Sequence, residues 1–148
     1  MAAVTINPSA RVGDMMTRPI ITVTMDDSLE SVRTRFKSHK FHHLIVTDKG
    51  KAVGVLSERD LLKHISPFID QMSERKQDTW TLQKRVHQIM SRDLVWATAD
   101  STIHEASLMM AANSISCLPV LDEQGRAVGI ITARERYNQM LDIWAHCR

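Results

Sequence analysis

An internal repeat with a period of about half the chain is the feature that most constrains how this sequence can fold. Residues 12–18, Val-Gly-Asp-Met-Met-Thr-Arg, align with residues 86–92, Val-His-Gln-Ile-Met-Ser-Arg. Further matches pair 24–26 with 98–100, 44–46 with 118–120 and, after one extra residue in the second copy, 52–54 with 127–129. Matches in a constant order indicate that one structural unit is present twice.

Each copy of the repeat predicts the same order of elements: a strand, a helix, two strands and a closing helix. Short β-branched and apolar runs predict opening strands at 20–23 and 94–97. Capping-box patterns predict helix starts at Asp27 and Thr102. The remaining elements are predicted as strands at 41–47, 52–57, 116–121 and 127–132 and as helices at 58–65 and 133–144. The predicted fold class is α/β, with two pseudo-symmetric β-α-β-β-α repeats packed sheet to sheet.

Apolar spacing predicts which side of each first helix is buried. Leu29, Val32 and Phe36 recur at helical intervals in the first copy. The second copy repeats the pattern with Ile103, Ala106 and Met110. We expect both helices to pack these faces against a sheet.

The chain divides into an N-terminal extension (1–11), a first repeat (12–65), a linker (66–85) and a second repeat (86–148). The linker is polar and charged, contains Pro67 and exceeds the usual ~4–6 residues of a connection. We expect a plain linker that extends the helix begun at Glu58, with Trp80 and Leu82 pinning it to the body. A regulatory role for the linker is the alternative.

Composition restricts the setting in which the chain works. Two cysteines in 148 residues cannot form a disulfide framework, which favours a reducing compartment. A net charge of +2 with interspersed signs gives no strong field for nucleic acid or anionic lipid. The longest uncharged stretch, 106–121, is shorter than the ~18 residues of a membrane span, and no targeting segment is visible. The sequence therefore predicts a cytoplasmic protein without nucleic-acid or membrane partners.

The most informative residues lie where the third strand of each copy meets its closing helix. The first copy reads Gly-Val-Leu-Ser-Glu-Arg-Asp over 54–60, and the second Gly-Ile-Ile-Thr-Ala-Arg-Glu over 129–135. Glycine allows close approach of a ligand, and a Ser or Thr at a helix N-cap suits a phosphate. Asp60 presents two oxygens that can accept both hydroxyls of a ribose. Ser57 and Asp60 can also be only an N-cap and an acidic first-turn residue, but the duplication favours a ligand.

This pattern, closing each of two such units, resembles the CBS-domain pair, or Bateman module, named after cystathionine β-synthase. The resemblance extends from about Val12 to Tyr137. Members of that family bind AMP, ADP, ATP or S-adenosylmethionine in clefts between the two repeats, and their modules often pair into a disc-shaped dimer. The resemblance therefore implies a regulatory adenosine-containing ligand and a homodimer.

The family's ligand contacts carry over to named positions. The resemblance implies that Asp60 holds ribose and Ser57 faces phosphate. The other contacts of this site would be Met90, Val95, Ile115 and Ser116. The pseudo-symmetric site would use Thr132, Glu135, Met16, Ile21, His42 and His43. Glu135 replaces the Asp of the pattern, and its extra methylene displaces the carboxylate by more than the ~0.5 Å that a preorganised site tolerates. We therefore expect Asp60 to bind ribose better than Glu135. In the other direction, His42 and His43 add potential positive charge at the Glu135 site.

Catalysis and metal binding are not predicted. The histidines at 39, 42 and 43 have no Cys, Asp or Glu at ligand spacing, so we assign no metal. No nucleophile–base pair or paired-carboxylate arrangement is visible, so we assign no catalytic residues and predict that the protein is not an enzyme. The predicted function is a stand-alone regulatory module that binds an adenosine-containing ligand and signals to a separate, unidentified effector protein. The alternatives are a ligand-free dimerisation or interaction scaffold and, more remotely, a small nucleotide-hydrolysing enzyme.

Overall fold

The computed structural model describes residues 10–18, 20–39 and 41–132. The chain forms two compact units, here called the first unit (21–94) and the second unit (1–20 and 95–148). The predicted closing helix at 133–144 lies outside the described residues, as does Glu135. Helices and small sheets alternate along the described chain, which confirms the α/β class.

Most of the described elements follow the order that the repeat predicts, with two short helices in addition. In chain order they are α1 (Val12–Met15), β1 (Thr22–Thr24), α2 (Leu29–Ser38), β2 (His43–Asp48), β3 (Lys51–Ser57), α3 (Glu58–His64), α4 (Lys76–Trp80), α5 (Ile103–Asn113), β4 (Cys117–Leu121) and β5 (Ala127–Thr132), with short 3₁₀ turns at Thr81–Gln83 and Val86–Gln88. The first unit contains a three-stranded sheet of order β1-β2-β3, and the second unit contains the β4-β5 pair. In each unit the hairpin therefore ends at a residue of the predicted motif, Ser57 in the first unit and Thr132 in the second.

The sheet of the first unit combines a parallel pair and a hairpin. β1 runs parallel to β2, and α2 connects them. β2 and β3 are antiparallel and are joined by Lys49 and Gly50, with φ of 53° and 82°. Two consecutive positive φ values are typical of the type I′ turn, whose twist matches that of a hairpin. The hairpin fixes the register that puts His43 opposite Ser57.

The buried faces of the helices are the predicted ones. Leu29, Val32 and Phe36 of α2 are buried. They pack in one apolar cluster with Val23, Leu44, Val46, Leu56, Leu61, Val86 and Met90. α5 buries Ile103, Ala106 and Met110 in the core of the second unit. Both predictions are confirmed, and each unit has its own apolar core.

The helix starts agree with the sequence in one copy and differ by one residue in the other. The Thr102 hydroxyl accepts from the backbone N–H of Glu105 at 3.1 Å, and the reciprocal bond completes the predicted capping box. At α2 the N-cap is Ser28, whose hydroxyl accepts from the N–H of Ser31 at 3.2 Å. The carboxylate of Asp27 instead accepts from the N–H of Thr24 at 2.9 Å and closes the preceding turn. The start predicted at Asp27 is therefore one residue early.

The strand predicted at 94–97 is wrong, because only Ala97 pairs with the neighbouring strand. Ala97 donates to the carbonyl of Pro119 and accepts from the N–H of Leu121, both at 2.9 Å. Extending this parallel ladder toward Val95 would require an N–H donor at position 119, and proline has none. The first copy has Ile45 at this position, and there β1 forms three pairs with β2.

The opening segment of each repeat packs in the unit that contains most of the other repeat. Val86 donates to the carbonyl of Asp27 at 2.9 Å, so residues 86–91 belong to the first unit. Val12 donates equivalently to the carbonyl of Ser101 at 2.8 Å, so residues 12–17 belong to the second unit. Each compact unit is therefore built from two separate stretches of the repeated sequence.

The linker does not extend the preceding helix. α3 ends at His64, and Ile65 has an extended conformation. Because a residue before proline disfavours helical conformation, Pro67 restricts Ser66 and prevents continuation. The linker instead forms α4 and a 3₁₀ turn. Leu82 is buried as predicted, but Trp80 is 64% exposed and does not pin the linker.

Candidate functional site

The turn from β3 into α3 holds the two residues at the centre of the predicted site. The Ser57 hydroxyl accepts from the backbone N–H of Asp60 at 3.0 Å. The Asp60 carboxylate Oδ2 accepts from the backbone N–H of Ser57, also at 3.0 Å. Both residues are half-buried. The reciprocal bonds fix both side chains at the start of the helix without ligand.

This cap leaves hydrogen-bonding capacity for a ligand. Asp60 uses Oδ2 in the cap, so Oδ1 can accept a further donor such as a ribose hydroxyl. The Ser57 hydroxyl accepts in the cap, so its own proton can be donated to an anionic oxygen. The pair can therefore hold one donor and one acceptor group of the same ligand.

Gly54 is needed for packing inside the first unit. A Cβ at this position would lie 2.5 Å from the carbonyl oxygen of Ser91 and 3.3 Å from Sδ of Met90. Ser91 is fixed there by two backbone bonds to Val55, at 2.9 and 3.1 Å. The sequence argument assigned this glycine to ligand approach, and in the structure the chain's own backbone takes the close position. Met90, a predicted ligand contact, is thereby placed beside the strand that leads into Ser57.

The two predicted phosphate-facing histidines also lie in the first unit. His43 is opposite Ser57 in the β2–β3 register. His42 Nδ1 is 2.8 Å from Oε2 of Glu58, and the His42 carbonyl accepts from the Glu58 N–H at 2.9 Å. Ile21, predicted for the same site, packs against the core of this unit. These three residues therefore share a unit with Asp60, whereas the resemblance groups them with Thr132 and Glu135.

The other predicted contacts belong to the second unit. Gly129 is also closely packed, but against a side chain, since an added Cβ would lie 2.8 Å from Cγ of Met16. Thr132 ends β5 and is half-buried. Val95 and Ile115 pack against the core of this unit, and Ser116 is exposed just before β4. The second unit thus contains Met16, Val95, Ile115, Ser116 and Thr132, and Glu135 lies outside the described residues.

Two contacts at the site were missed by the sequence reasoning. The backbone pairing of Ser91 with Val55 had a signal in the repeat, because Ser91 aligns with Thr17, which pairs with Ile130 in the same way. The contact between His42 and Glu58 had no comparable local signal. It depends on the hairpin register, which sequence spacing alone does not determine.

The described residues contain no candidate metal centre and no candidate membrane span. Within residues 10–18, 20–39 and 41–132, no group of three or more His, Cys, Asp or Glu side chains could hold an ion. In the same part of the chain, no helix is long and apolar enough to cross a bilayer.

The duplicated unit and its capped strand-to-helix turn define a tandem CBS-domain protein. The CBS domain family model matches residues 12–67 and 86–135, and the chain belongs to this family. A CBS domain-containing protein of Dictyostelium discoideum is 28% identical over 134 residues, covering 89% of this chain and 92% of that protein.

Solved structures of CBS domain pairs are similar over most of the chain. A pair in complex with 5′-methylthioadenosine and S-adenosyl-L-methionine is 26% identical with a TM-score of 0.73, covering 89% of this chain and 96% of that one. The cytosolic domain of the Mg²⁺ channel MgtE in complex with ATP is also 26% identical, with a TM-score of 0.69, covering 88% of this chain and 48% of that one. These two structures, which resemble this chain, are therefore complexes with adenosine-containing molecules.

Proposed function

We propose that the chain is a regulatory module that binds an adenosine-containing ligand through Ser57 and Asp60. The observation that carries the proposal is the reciprocal cap, which holds a carboxylate and a hydroxyl in place at a helix start. Support comes from the similar pairs that bind 5′-methylthioadenosine, S-adenosyl-L-methionine or ATP. The ligand acts as a signal, and the module does not catalyse its conversion.

The rest of the predicted site is part of the same proposal. The remaining contacts of this site are those implied by the resemblance, namely Met90, Val95, Ile115 and Ser116. The pseudo-symmetric site implied by the resemblance would use Thr132, Glu135, Met16, Ile21, His42 and His43. We also propose a homodimer, a separate effector protein and a cytoplasmic location, as predicted from the sequence. The choice among AMP, ADP, ATP and S-adenosylmethionine is left to the binding assay.

Asp60→Asn tests the assignment directly. The amide can still accept from the N–H of Ser57, but the charge and the second acceptor oxygen are lost. A hydrogen bond to a charged group contributes ~1.5–3 kcal/mol, so affinity should fall about tenfold or more. Isothermal titration calorimetry with AMP, ATP and S-adenosylmethionine measures the change.

Glu105→Gln is the matched control, because Glu105 occupies the same capping-box position at α5. It removes the same kind of charge in the second unit, at a residue that is not among the proposed ligand contacts. We expect its ligand affinity to equal that of the unchanged protein. Equal losses in both variants, or no loss in Asp60→Asn, would show that Asp60 does not hold the ligand.

A ligand-free scaffold is the second candidate, and the same cap favours it. Ser57 and Asp60 satisfy each other, so the motif has a complete structural role without a ligand. A thermal-shift panel of the three nucleotides and S-adenosylmethionine separates the candidates. Ligand at ~100 times its dissociation constant adds ~2.7 kcal/mol, equivalent to roughly 5–10 °C for a chain of this size. A flat response across the panel favours the scaffold.

A further inference from the structure

The linker contains ordered structure that the family pattern does not include. The family match ends at residue 67 and resumes at 86. Between these positions Ile69 and Leu82 are each only 7% exposed, and the charged side chain of Asp78 is also buried. A connection that only spanned the distance would remain solvated. The linker is therefore a packed element with specific contacts.

Asp78 joins the two ends of the linker. Its Oδ1 accepts from the Ser66 hydroxyl at 2.8 Å, and its Oδ2 accepts from the N–H of Arg75 at 2.8 Å. Ser66 also donates its N–H to the Thr81 hydroxyl at 3.0 Å. The hydrogen bond from Ser66, followed by that from Arg75, lowers the pKa of Asp78. These bonds hold the linker in one compact loop.

A second contact holds the linker against α2. Asp70 forms an ion pair with Arg33, and Nζ of Lys37 is 3.6 Å from the same carboxylate oxygen. Asp70 has a φ of 64°, a left-handed conformation that is unfavourable for most residues with a side chain. The ion pair therefore holds this turn against the surface of α2.

A third contact connects the linker to the candidate site through α3. Lys84 donates to the carbonyl of His64 at 3.2 Å, and Nδ1 of His64 contacts the carbonyl of Asp60 at 2.8 Å. α3 has seven residues, which is about two turns. Helices this short depend on their caps and packing. The Ser57–Asp60 cap and the linker thus stabilise opposite ends of the same short helix.

We propose that the linker is the output element of this module, closed over α2 and α3 while the N-terminal cap of α3 is intact and opening when the cap weakens. This inference rests on the proposed function in one respect, that the ligand at Ser57 and Asp60 changes the cap. Opening would add Ile69 and Leu82 to the already exposed Phe68, Met72 and Trp80. The two linker states would then differ in the apolar surface offered to an effector.

The ligand-free protein tests this coupling by hydrogen exchange and mass spectrometry. Ser57→Ala removes the cap of α3, and Thr102→Ala removes the equivalent cap of α5 as the matched control. Loss of an N-cap of this type costs ~1 kcal/mol, so hydrogen exchange of a segment coupled to the cap should accelerate about fivefold. We expect that acceleration in peptides from 68–83 for Ser57→Ala and none there for Thr102→Ala. Unchanged linker exchange in Ser57→Ala, or equal acceleration in the control, would overturn the proposal.

The reverse direction gives a second test, because coupling between two sites is reciprocal. Arg33→Gln breaks the ion pair with Asp70 and changes no residue of α3. We expect faster exchange both in 68–83 and in the first turn of α3, with Arg126→Gln, an exposed arginine of the second unit, as the control. Faster linker exchange with an unchanged first turn of α3 would show that the two are independent.

AMP added to the unchanged protein separates this inference from the proposed function. If AMP binds by calorimetry, exchange in 68–83 should slow, and unchanged exchange at saturation would refute the output role. If none of the four adenosine-containing compounds binds, the proposed function fails, while the Ser57→Ala comparison still decides whether cap and linker are coupled.

Discussion

Gly54→Ala tests whether the glycine before the Ser57–Asp60 turn is required by the chain's own packing. Gly54 does not have a left-handed φ, so alanine adds no backbone strain of its own. The added Cβ would lie 2.5 Å from the carbonyl oxygen of Ser91. Ser91 is held by two hydrogen bonds to Val55, so it cannot withdraw without breaking them.

The magnitude follows from these contacts. Two backbone hydrogen bonds contribute ~0.5–1.5 kcal/mol each, and overpacking a fixed site costs ~1–3 kcal/mol. The free energy of unfolding should therefore fall by about 2–6 kcal/mol, most of it through displacement of residues 86–91 from the first unit. For a chain of this size the melting temperature should fall by roughly 5–15 °C. Urea denaturation and calorimetry measure both quantities.

Gly129→Ala is the matched control in the other repeat. Its Cβ would meet the side chain of Met16, and a thioether side chain can rotate away. Both substitutions lower the entropy of the unfolded chain equally, so that contribution cancels in the comparison. We expect Gly54→Ala to be the more destabilising by at least about 1 kcal/mol. Equal effects would refute the claim that the Ser91 backbone requires glycine at 54.

Two further predictions concern the linker and the second sheet. The pKa values of Asp70 and Asp78 are lowered from 3.8, chiefly by hydrogen bonds from Arg33 and Ser66 respectively. Their ionised carboxylates therefore contribute fully to the stability of the folded linker above pH 3.8, and this contribution is lost as the pH falls through the lowered pKa values. Hydrogen exchange of residues 68–83, corrected for its intrinsic pH dependence, should accelerate as the pH falls over that range. The double variant Asp70→Asn, Asp78→Asn should abolish this acceleration. If the acceleration persists in the double variant, these two carboxylates are not its cause. Pro119→Ala supplies the missing N–H donor of the second sheet, and this N–H should be protected in NMR exchange by a hydrogen bond to the carbonyl of Val95. The free energy of unfolding should change little, because the new hydrogen bond offsets the greater entropy of the unfolded chain. An unprotected N–H would show that proline is not what ends the ladder.

Local sequence patterns predicted the parts of the fold that local interactions determine. The spacing of Leu29, Val32 and Phe36 identified the buried face of α2, because helical period and burial are directly linked. The Thr102–Glu105 capping box was found for the same reason. At α2, Asp27 and Ser28 are both favourable caps, and the pattern alone could not choose between adjacent candidates.

The errors arise where partners are distant in the chain. Leu94–Ala97 reads as a strand, but whether it pairs depends on Pro119 in another strand. Trp80 reads as an anchor by its size, but the phase of α4, which is set by the bonds of Asp78, leaves its ring exposed.

At the candidate site, spacing identified the Ser57–Asp60 pair because the cap is local. The placement of His42 and His43 beside it depends on hairpin register and could not be read from spacing.

Because the opening segment of each repeat packs with most of the other repeat, a cut in the linker could not yield two independent folding units. A fragment ending at Ser73 would keep Gly54 and lose Ser91, which covers it. The complementary fragment would keep Ile130 and lose Thr17, its partner. Each fragment would present an uncovered core that only the missing piece can fill. Mixed together, the two halves should reassemble by fragment complementation, and a gene encoding one copy alone would have needed a second molecule to supply its opening segment.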